Sequence, residues 1–474
     1  MHRRTFVCGA AAAALSTSAL RGESPAVRLT LPAQPGPAMP ADFLGLSYEM
    51  GQLYNPRFFA AANQPLVHAF RAISTHGVLR LGGHLSNITP WEGVGQDDPK
   101  QIRGVRHGIE DYWEWPLVDP VVQQNRHGML TRTALENLRG FLDAVNWRLL
   151  YGLNFACGSA ARAADEAAAV SSILGQRLIA FVIGNEPDGF GDDPFFRAKG
   201  YGFPQYIAEY EAWVRAIRQR VPHAAFAGPD TDGKVDTWVL EFARRTRGDA
   251  ILLTSHYYGM GPASDPGMTA ERLLRKDPAE LDAEIAGVDA ARRAAGGTPY
   301  RMDEGNSCFG GGRPGVSDAY ASALWAADYI LRAACAGFAG VNLHGGGMGV
   351  YTPIESSASA PARPRPVYSG MLFAQRFAGY RVAPCTLHTS ANVTAYQGST
   401  SGSSLLALVN KGGEPVRIAL PQSFAAAERL QRWDLRGPSL AAHTGVQFQP
   451  APQEPRAASI RLYAYSATIL QLDL

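Results

Sequence analysis

Two glutamates, Glu186 and Glu304, follow predicted buried strands and could do chemistry as a pair. Glu186 comes just after the apolar run that ends in Ile183, and Glu304 just after the run that ends in Met302. Two carboxyl groups flanking a glycosidic bond can protonate the leaving oxygen and attack the anomeric carbon. Either glutamate alone is a weak signal, because a surface Glu beside a turn is usually inert. Their shared position after predicted strands favours a catalytic pair.

The elements that must position this pair are eight short apolar runs separated by amphipathic stretches. This alternation is typical of repeated βα units rather than of a β-sandwich. The sequence therefore predicts an α/β fold, a (β/α)8 TIM barrel, with its active site at the C-terminal ends of the strands. Glu186 and Glu304 follow the fourth and the seventh run. The eight runs are Phe43–Tyr48, Val78–Leu81, Leu149–Phe155, Ile179–Ile183, Ala224–Ala227, Ile251–His256, Pro299–Met302 and Gly340–Leu343.

Two of the helices between these strands can be placed from their apolar spacing. Thr131–Val145 carries leucines at helical intervals, and Asp318–Ala334 follows Ser317, which we expect to cap it. A doubly wound sheet is the alternative fold. It is disfavoured because no Gly-x-Gly-x-x-Gly motif follows the first strand and because polar residues cluster after most of the runs.

Beyond the proline- and serine-rich stretch Pro353–Pro366, short alternating runs separated by turn residues predict an antiparallel β-domain. The alternating segment Val27–Leu31 could add a strand to it, so that both termini meet in one sandwich. We therefore predict an N-terminal strand segment at 23–38, the barrel at 39–352 and a flanking C-terminal β-sandwich domain at 353–474. The clearest runs of the β-domain are Ser404–Asn410, Val416–Leu420 and Ile460–Leu470.

The 474 residues include 44 Lys and Arg against 42 Asp and Glu, a net charge of only +2. No basic run could track a phosphate backbone, so nucleic acid is not an expected partner. Residues 1–22 predict an export signal, in which Arg3 and Arg4 precede an alanine-rich stretch, as in twin-arginine signals. We expect a periplasmic or secreted bacterial protein; a cytoplasmic protein with a chance apolar start is the alternative. No later stretch is suited to span a membrane, so no membrane partner is expected.

The four cysteines beyond this signal are spaced at long, irregular intervals. Without a Cys-x-x-Cys motif or paired histidines, they predict neither a zinc site nor a disulfide framework. We therefore expect no metal and no cofactor, and the alternative of one incidental disulfide stays open. The four residues are Cys157, Cys308, Cys335 and Cys385.

Four stretches of the chain resemble glycoside hydrolase family 79 of clan A, the β-glucuronidases and heparanases. The resemblance spans essentially the whole chain after the signal and implies a retaining double-displacement mechanism, with Glu186 as acid/base and Glu304 as nucleophile. Glu186 must then hold a proton, and the negative charge of Glu304 should help to raise its pKa. The stretches are Phe43–Glu49 with Asn55–Phe59, Leu79–Gly83, Asn185–Pro187 and Asp303–Gly312.

Three further residues are expected around the pair. Asn185 lies beside the acid and can donate to the sugar 2-hydroxyl, with a turn-forming asparagine as the alternative. By resemblance, Tyr257 would donate to Glu304, and Glu49 at the end of the first strand would bind sugar hydroxyls. A packed aromatic residue and a solvated surface glutamate are the respective alternatives.

Recognition of a uronic acid carboxylate is expected from the loop after the seventh strand. Gly310 and Gly311 can offer backbone N–H groups at close range because no side chain blocks the approach. The resemblance assigns both glycines to the carboxylate and adds the hydroxyl of Tyr351; a flexible glycine turn is the alternative. Phe309 departs from the tyrosine usual in the family, so one hydroxyl is missing.

The long segment Trp91–Leu130, with Tyr112, Trp113 and Trp115, is expected to wall the sugar pocket. Its acidic pair at 97–98 and the near-neutral net charge argue against a basic cleft for sulfated chains. We therefore predict an exo-β-glucuronidase whose partner is a carbohydrate, a terminal β-D-glucuronide. The alternatives are an endo-acting heparanase-like enzyme, a xylosidase or arabinofuranosidase of the same clan, and an exported carbohydrate-binding protein that has lost catalysis.

Overall fold

The computed structural model describes residues 26–92, 117–124, 128–357, 360–454 and 457–473. The predicted export signal lies outside these ranges, as does most of the predicted pocket wall, including Tyr112, Trp113 and Trp115. Within them, no helix is long and apolar enough to cross a membrane.

A closed barrel of eight parallel strands forms the centre of the molecule, and the predicted TIM barrel is confirmed. All eight predicted runs are barrel strands, and residues such as Leu46, Leu79 and Leu149 are fully buried because helices cover the outside of the sheet. The first strand of the chain, β1, is Val27–Thr30 and lies outside the barrel. The barrel strands are β2 (Leu44–Glu49), β3 (Val78–Gly82), β4 (Arg148–Leu153), β5 (Leu178–Ile183), β6 (Phe226–Asp232), β7 (Leu252–Tyr258), β8 (Tyr300–Asn306) and β9 (Gly340–His344).

The helix predicted at Thr131–Val145 is confirmed, and the Thr131 hydroxyl caps it by accepting from the Ala134 N–H at 3.2 Å. The α-helices are Gln64–Ile73, Pro120–Gln124, Arg132–Val145, Ala160–Leu174, Phe203–Arg220, Leu240–Arg245, Ala270–Leu273, Ala279–Ala294, Tyr320–Cys335, Pro366–Gln375 and Gln422–Ala425. Short 3₁₀ segments are Met50–Tyr54, His84–Asn87, Gly175–Arg177 and Pro187–Asp192, and Val235–Val239 is a π-helical turn.

The prediction that Ser317 caps the next helix is wrong, because that helix begins at Tyr320. Its first N–H groups are satisfied by the β-domain: Tyr320 donates to the Ala442 carbonyl at 2.9 Å and Ala321 to the Leu440 carbonyl at 3.1 Å. The Ser317 hydroxyl instead accepts from the Arg313 N–H. A tertiary contact therefore replaces the local cap.

Two sheets form the flanking β-domain, in the order β12-β14-β15-β20-β17-β18 and β13-β1-β16-β19. The predicted antiparallel sheets beside the barrel are confirmed. β1 lies in the smaller sheet, parallel to β16 and antiparallel to β13. The run Ile460–Leu470 is two strands, since the chain turns at Tyr465 with φ 46°. The strands are β10 (Ile354–Ser357), β11 (Ala360–Pro364), β12 (Arg381–Pro384), β13 (Thr386–Leu387), β14 (Val393–Ser399), β15 (Ser403–Asn410), β16 (Val416–Ala419), β17 (Leu430–Arg436), β18 (Gln447–Glu454), β19 (Ser459–Leu462) and β20 (Ser466–Asp473).

The helices Tyr320–Cys335 and Pro366–Gln375 pack closely against each other at the junction of barrel and β-domain. Gly370 permits this approach, because a Cβ there would lie 2.2 Å from the Ala323 carbonyl oxygen. The helix Pro366–Gln375 covers the barrel, although it lies after the boundary predicted between residues 352 and 353. Across the junction, buried Asp328 accepts from Lys411 Nζ at 2.5 Å and from the Tyr396 hydroxyl at 2.6 Å.

Candidate active site

The C-terminal ends of the barrel strands surround a cavity of about 240 Å³. Both glutamates singled out from the sequence line it: Glu304 belongs to β8, and Glu186 stands three residues after β5. Glu186 adopts a left-handed conformation with φ 48°, and its N–H donates to the Asp230 carbonyl at 2.8 Å. The lining residues are Glu49, His84, Glu186, Asp232, Tyr258, Glu304, Phe309 and His344.

His256 holds the two carboxylates close together. Its Nδ1 lies 2.7 Å from Glu186 Oε1 and 3.7 Å from Glu304 Oε1, and the facing oxygens of the two glutamates lie within 4.8 Å of each other. Carboxyl groups about 5 to 5.5 Å apart suit a covalent glycosyl-enzyme, whereas inverting enzymes keep about 6.5 to 9.5 Å for a water molecule. The separation here suits direct attack by one carboxylate.

Glu304 is surrounded by groups that favour its ionised form. Its Oε1 accepts from the Tyr258 hydroxyl at 2.9 Å, and its Oε2 accepts from Arg80. His344 Nδ1 lies 3.6 Å from Oε2. Burial raises the pKa of Glu304, but His344, His256 and Arg80 outweigh burial and bring it to about 2. Glu304 is therefore ionised at neutral pH and able to act as a nucleophile.

Arg80 on β3 lies beneath the carboxylates, almost completely buried. Its guanidinium also donates to Asp230 Oδ2 at 2.6 Å and to Asn185 Oδ1 at 2.7 Å. Asp303 Oδ2 lies 3.9 Å from Arg80 Nε. Burial, and then the charge of Asp230, raise the pKa of Asp303 well above its usual range. Burial and the neighbouring charge of Asp230 thus disfavour the ionised form of Asp303.

Glu186 has an imidazole on each carboxylate oxygen. His256 Nδ1 lies 2.7 Å from Oε1, and His84 Nε2 lies 2.7 Å from Oε2. Burial raises the pKa of Glu186, but His84 and His256 lower it more, so it lies well below its usual range. The expected increase from the charge of Glu304 is therefore outweighed by two imidazoles that the sequence argument did not include.

The prediction that Tyr257 donates to Glu304 is wrong, and its neighbour Tyr258 makes this hydrogen bond. Side chains alternate between the two faces of a strand, so when His256 and Tyr258 face the barrel axis, Tyr257 faces outward. The ring of Tyr257 stacks on Tyr329, with centroids 5.5 Å apart and planes at 15°. The alternative of a packed aromatic residue is correct for Tyr257.

Glu49 and Asn185 both lie at the site. Glu49 is buried rather than solvated: its Oε2 accepts from the Leu85 N–H at 2.9 Å, and its Oε1 lies 3.3 Å from His344 Nε2. Asn185 is tied down by Arg80 through Oδ1 and by Asn87, which contacts its backbone N–H and carbonyl. Its Nδ2 is buried and has no hydrogen-bond partner among the described residues, so it keeps a donor to offer.

The glycine loop follows Phe309, which lines the cavity, whereas Gly310, Gly311 and Tyr351 are not among the lining residues. Gly310 and Gly311 have φ 78° and 82°, a region that favours glycine. The Phe309 carbonyl accepts from the Ala263 N–H at 2.9 Å, and because C=O and N–H point in opposite directions across a trans peptide, the Gly310 N–H points away from Ala263. Tyr351 is fully buried, with its ring 6.1 Å from that of Tyr258.

The described part of the cavity wall contains no lysine or arginine, but it contains four acidic side chains. Among the described residues, two groups have ligand atoms close enough to hold a metal ion: Glu186 with His256 and Glu304, and Asp230 with His256 and Asp303. In both groups, ion pairs with Arg80 or His256 already supply positive charge to the carboxylates.

Several residues of the site were not singled out from the sequence, and each left only a weak signal. Arg80 is the only charged residue of the apolar run Val78–Leu81. Its stretch, Leu79–Gly83, contributed only to the resemblance to glycoside hydrolase family 79. His256 and Tyr258 stand in Ser255-His-Tyr-Tyr258, where only Tyr257 was chosen. His84 stands two residues after the end of β3, and His344 is the last residue of β9. Polar residues of this fold meet at these strand ends.

No protein-family model matches the chain. It is 24% identical over 260 residues to a β-glucuronidase of Aspergillus niger, which covers 49% of this chain and 48% of that protein. It is also 24% identical over 387 residues to heparanase of Gallus gallus, covering 73% of this chain and 71% of that protein.

The chain is similar to β-glucuronidases and to heparanase. The predicted resemblance is thereby confirmed, although the chain spans only about half the length of the fungal relative. Among solved structures, a 4-O-α-L-rhamnosyl-β-D-glucuronidase of Fusarium oxysporum superposes with a TM-score of 0.73 at 16% identity, covering 94% of this chain and 99% of that one. This likeness confirms the fold of barrel and flanking sheets.

Proposed function

We propose that the protein is a retaining exo-β-glucuronidase that removes terminal β-D-glucuronic acid by double displacement. The observation that carries the proposal is the pair Glu186 and Glu304, with facing oxygens within 4.8 Å in one cavity at the strand ends of the barrel. Similarity to proteins named β-glucuronidase supports the substrate class.

In this mechanism Glu304 attacks the anomeric carbon while Glu186 protonates the leaving oxygen, and water then hydrolyses the glycosyl ester. Arg80 and Tyr258 hold Glu304 ionised and oriented for the attack. The Nδ2 of Asn185 donates to the sugar 2-hydroxyl, a hydrogen bond that strengthens in the transition state. Glu49, at the C-terminal end of β2, accepts from other sugar hydroxyls.

We assign the uronate carboxylate to the backbone N–H groups of Gly310 and Gly311 and to the Tyr351 hydroxyl. The positive φ angles of the two glycines and the direction of the Gly310 N–H, away from Ala263, support this assignment. Since the described cavity wall carries no lysine or arginine, directed hydrogen bonds must supply the selectivity. Phe309 adds apolar surface where a hydroxyl would otherwise help.

Turnover of 4-nitrophenyl β-D-glucuronide tests the proposal. We expect hydrolysis by the wild type, β-glucuronic acid as the first anomer seen by NMR, and loss of activity in Glu304→Gln. The matched control is Glu241→Gln, which removes a half-exposed carboxylate on an outer helix and should leave the rate unchanged. An inactive wild type would instead support the non-catalytic carbohydrate-binding alternative, and an α-anomer product would contradict the retaining mechanism.

The leaving group separates the roles of the two glutamates. Glu186→Ala should hydrolyse 2,4-dinitrophenyl glucuronide far better than phenyl glucuronide, because an acidic phenol needs little protonation to depart. Azide should rescue Glu186→Ala by forming the β-glycosyl azide, whereas any azide product of Glu304→Ala should be the α-anomer, because azide then attacks from the side of the missing carboxylate. Equal losses on both substrates would contradict the acid/base assignment.

An endo-acting enzyme is the second candidate, because the similarity to heparanase covers more of the chain than the similarity to the β-glucuronidase. Size-exclusion profiles during digestion of a uronic-acid polysaccharide decide between them. An exo-enzyme releases monosaccharide while the polymer stays nearly full length. A rapid fall in chain length before free glucuronic acid appears would favour the endo-enzyme.

Export of the protein is also a proposal, supported by the charged and alanine-rich sequence of residues 1–22. Expression of the full chain in a bacterium with and without a functional twin-arginine pathway, followed by mass spectrometry of the N-terminus, tests it. We expect a shortened chain outside the cytoplasm only when the pathway works.

A further inference from the structure

His84 occupies an unusual place beside the proposed acid/base. Its Nε2 lies 2.7 Å from Glu186 Oε2, and its side chain is 34% exposed on the cavity wall. The other oxygen, Oε1, faces His256, which is fully buried and lies between the two glutamates. Oε2 is therefore the oxygen that contacts the more exposed of the two imidazoles, whereas Oε1 contacts the buried one.

The fold fixes His84 in this position from both sides. Gly83, with φ 70°, turns the chain out of β3, and a Cβ there would lie 2.2 Å from Glu49 Oε1. The next N–H, of Leu85, donates to Glu49 Oε2, and Asn87 contacts the backbone of Asn185. The short turn that carries His84 is thus bonded to the residue that ends β2 and to the residue before Glu186, which preorganises the contact.

We infer that His84 and Glu186 share the proton that catalysis consumes and regains, so that His84 is a positioning residue for the acid/base. This inference rests on the proposed function. In the first step the shared proton leaves Glu186 Oε2 for the glycosidic oxygen, the C–O bond to the leaving group breaks, and Glu304 forms the ester. In the second step water attacks the anomeric carbon, the ester bond to Glu304 breaks, and the proton of water returns to Oε2 and His84.

The charges around the pair determine the direction of the pH effect. Glu304 and Asp232 line the same cavity, Asp188 and Asp232 interact electrostatically with Glu186, and His256 supplies the opposing positive charge. Lys234 pairs with Asp188 at 2.9 Å. The other titratable side chains that line the cavity are Glu49, Tyr258 and His344. Because the two groups titrate as one system, the pH at which activity is lost on the alkaline side belongs to the pair.

The test is the pH dependence of kcat/KM in His84→Gln, which keeps a hydrogen-bond donor but cannot titrate. With phenyl glucuronide we expect the alkaline limb to move down by about 2 pH units, the difference between ordinary imidazole and carboxyl pKa values. With 2,4-dinitrophenyl glucuronide, which needs little protonation, we expect much less displacement. His68→Gln removes an exposed imidazole from an outer helix and should leave both profiles unchanged.

A residue that only supports the fold would lower kcat at every pH without moving the limb, so an unmoved alkaline limb in His84→Gln would overturn the inference. NMR titration of the His84 imidazole gives a readout that does not need turnover. We expect its pKa to fall in Glu186→Gln, and an unchanged pKa would also overturn the inference. A wild type without glycosidase activity would refute the proposed function itself, whereas an active wild type with an unmoved limb refutes only the role of His84.

Discussion

Replacing Tyr258 by phenylalanine should raise the pKa of Glu304, the proposed nucleophile, without changing the shape of the cavity. The Tyr258 hydroxyl donates to Glu304 Oε1 at 2.9 Å in a buried setting. A hydrogen bond to a charged group contributes about 1.5 to 3 kcal/mol. Since one pKa unit corresponds to about 1.4 kcal/mol, its loss should raise the pKa of Glu304 by about 1 to 2 units. Starting from about 2, the variant should reach about 3 to 4.

The assay is kcat/KM against pH with 2,4-dinitrophenyl glucuronide, which removes the need for acid assistance and leaves the ionisation of Glu304 to set the acidic limb. Tyr257→Phe is the matched control, because Tyr257 packs outward on Tyr329 and makes no contact with the carboxylates. We expect the acidic limb of the pH profile to move to higher pH in Tyr258→Phe and to keep its position in Tyr257→Phe. If the acidic limb of Tyr258→Phe coincides with that of the wild type, or if the limb moves in Tyr257→Phe instead, the hydrogen bond from Tyr258 to Glu304 is refuted.

The sign of the accompanying stability effect follows from linkage. Glu304 has a folded-state pKa of about 2, below the usual value of an unfolded chain, about 4.3. Its contribution to stability is therefore present above about pH 4.3 and is lost as the pH falls through the folded-state value. A higher pKa in Tyr258→Phe makes this contribution smaller and moves its loss to higher pH, which acid unfolding followed by circular dichroism can measure.

Two more predictions concern the domain junction and the glycine loop. Lys411→Met leaves Asp328 buried without its cation and should lower the free energy of unfolding by about 3 to 5 kcal/mol, measured in urea, whereas Arg293→Met, in an exposed pair, should change it little. Gly311→Ala should reduce kcat/KM for glucuronide at least tenfold more than for glucoside, because it moves the backbone donors. Gly297→Ala, at φ 97° with open space around it, controls for the strain of a positive φ, and equal losses on both sugars would contradict the carboxylate assignment.

The barrel could be predicted because its strands are buried on both faces and appear as short apolar runs. Glu186 and Glu304 could be singled out because the strand ends of this fold converge on one rim. The boundary of the helix that begins at Tyr320 could not be predicted, because carbonyls of Leu440 and Ala442, more than a hundred residues later, satisfy its first N–H groups. Local capping rules contain no information about such contacts.

The error at Tyr257 has a similar cause. The side chains of β7 alternate between the two faces of the sheet, so only one of the two neighbouring tyrosines can face the barrel axis. The pattern Ser255-His-Tyr-Tyr258 does not show which of the two it is. Arg80 was missed because its partners Asn185 and Glu304 lie 105 and 224 positions away.

The placement of positive charge constrains how an anionic sugar can be recognised. Arg80 pairs with Asp230 and Glu304, so it favours the ionised form of Glu304, but these ion pairs already engage its guanidinium. The described cavity wall above it is acidic, and a uronate would enter against that charge. The raised pKa of Asp303 weakens the negative charge in this field. For the proposed glucuronide substrate, selectivity would then depend on donors aimed at the carboxylate rather than on net charge, and the backbone N–H groups of Gly310 and Gly311 are the donors that we propose.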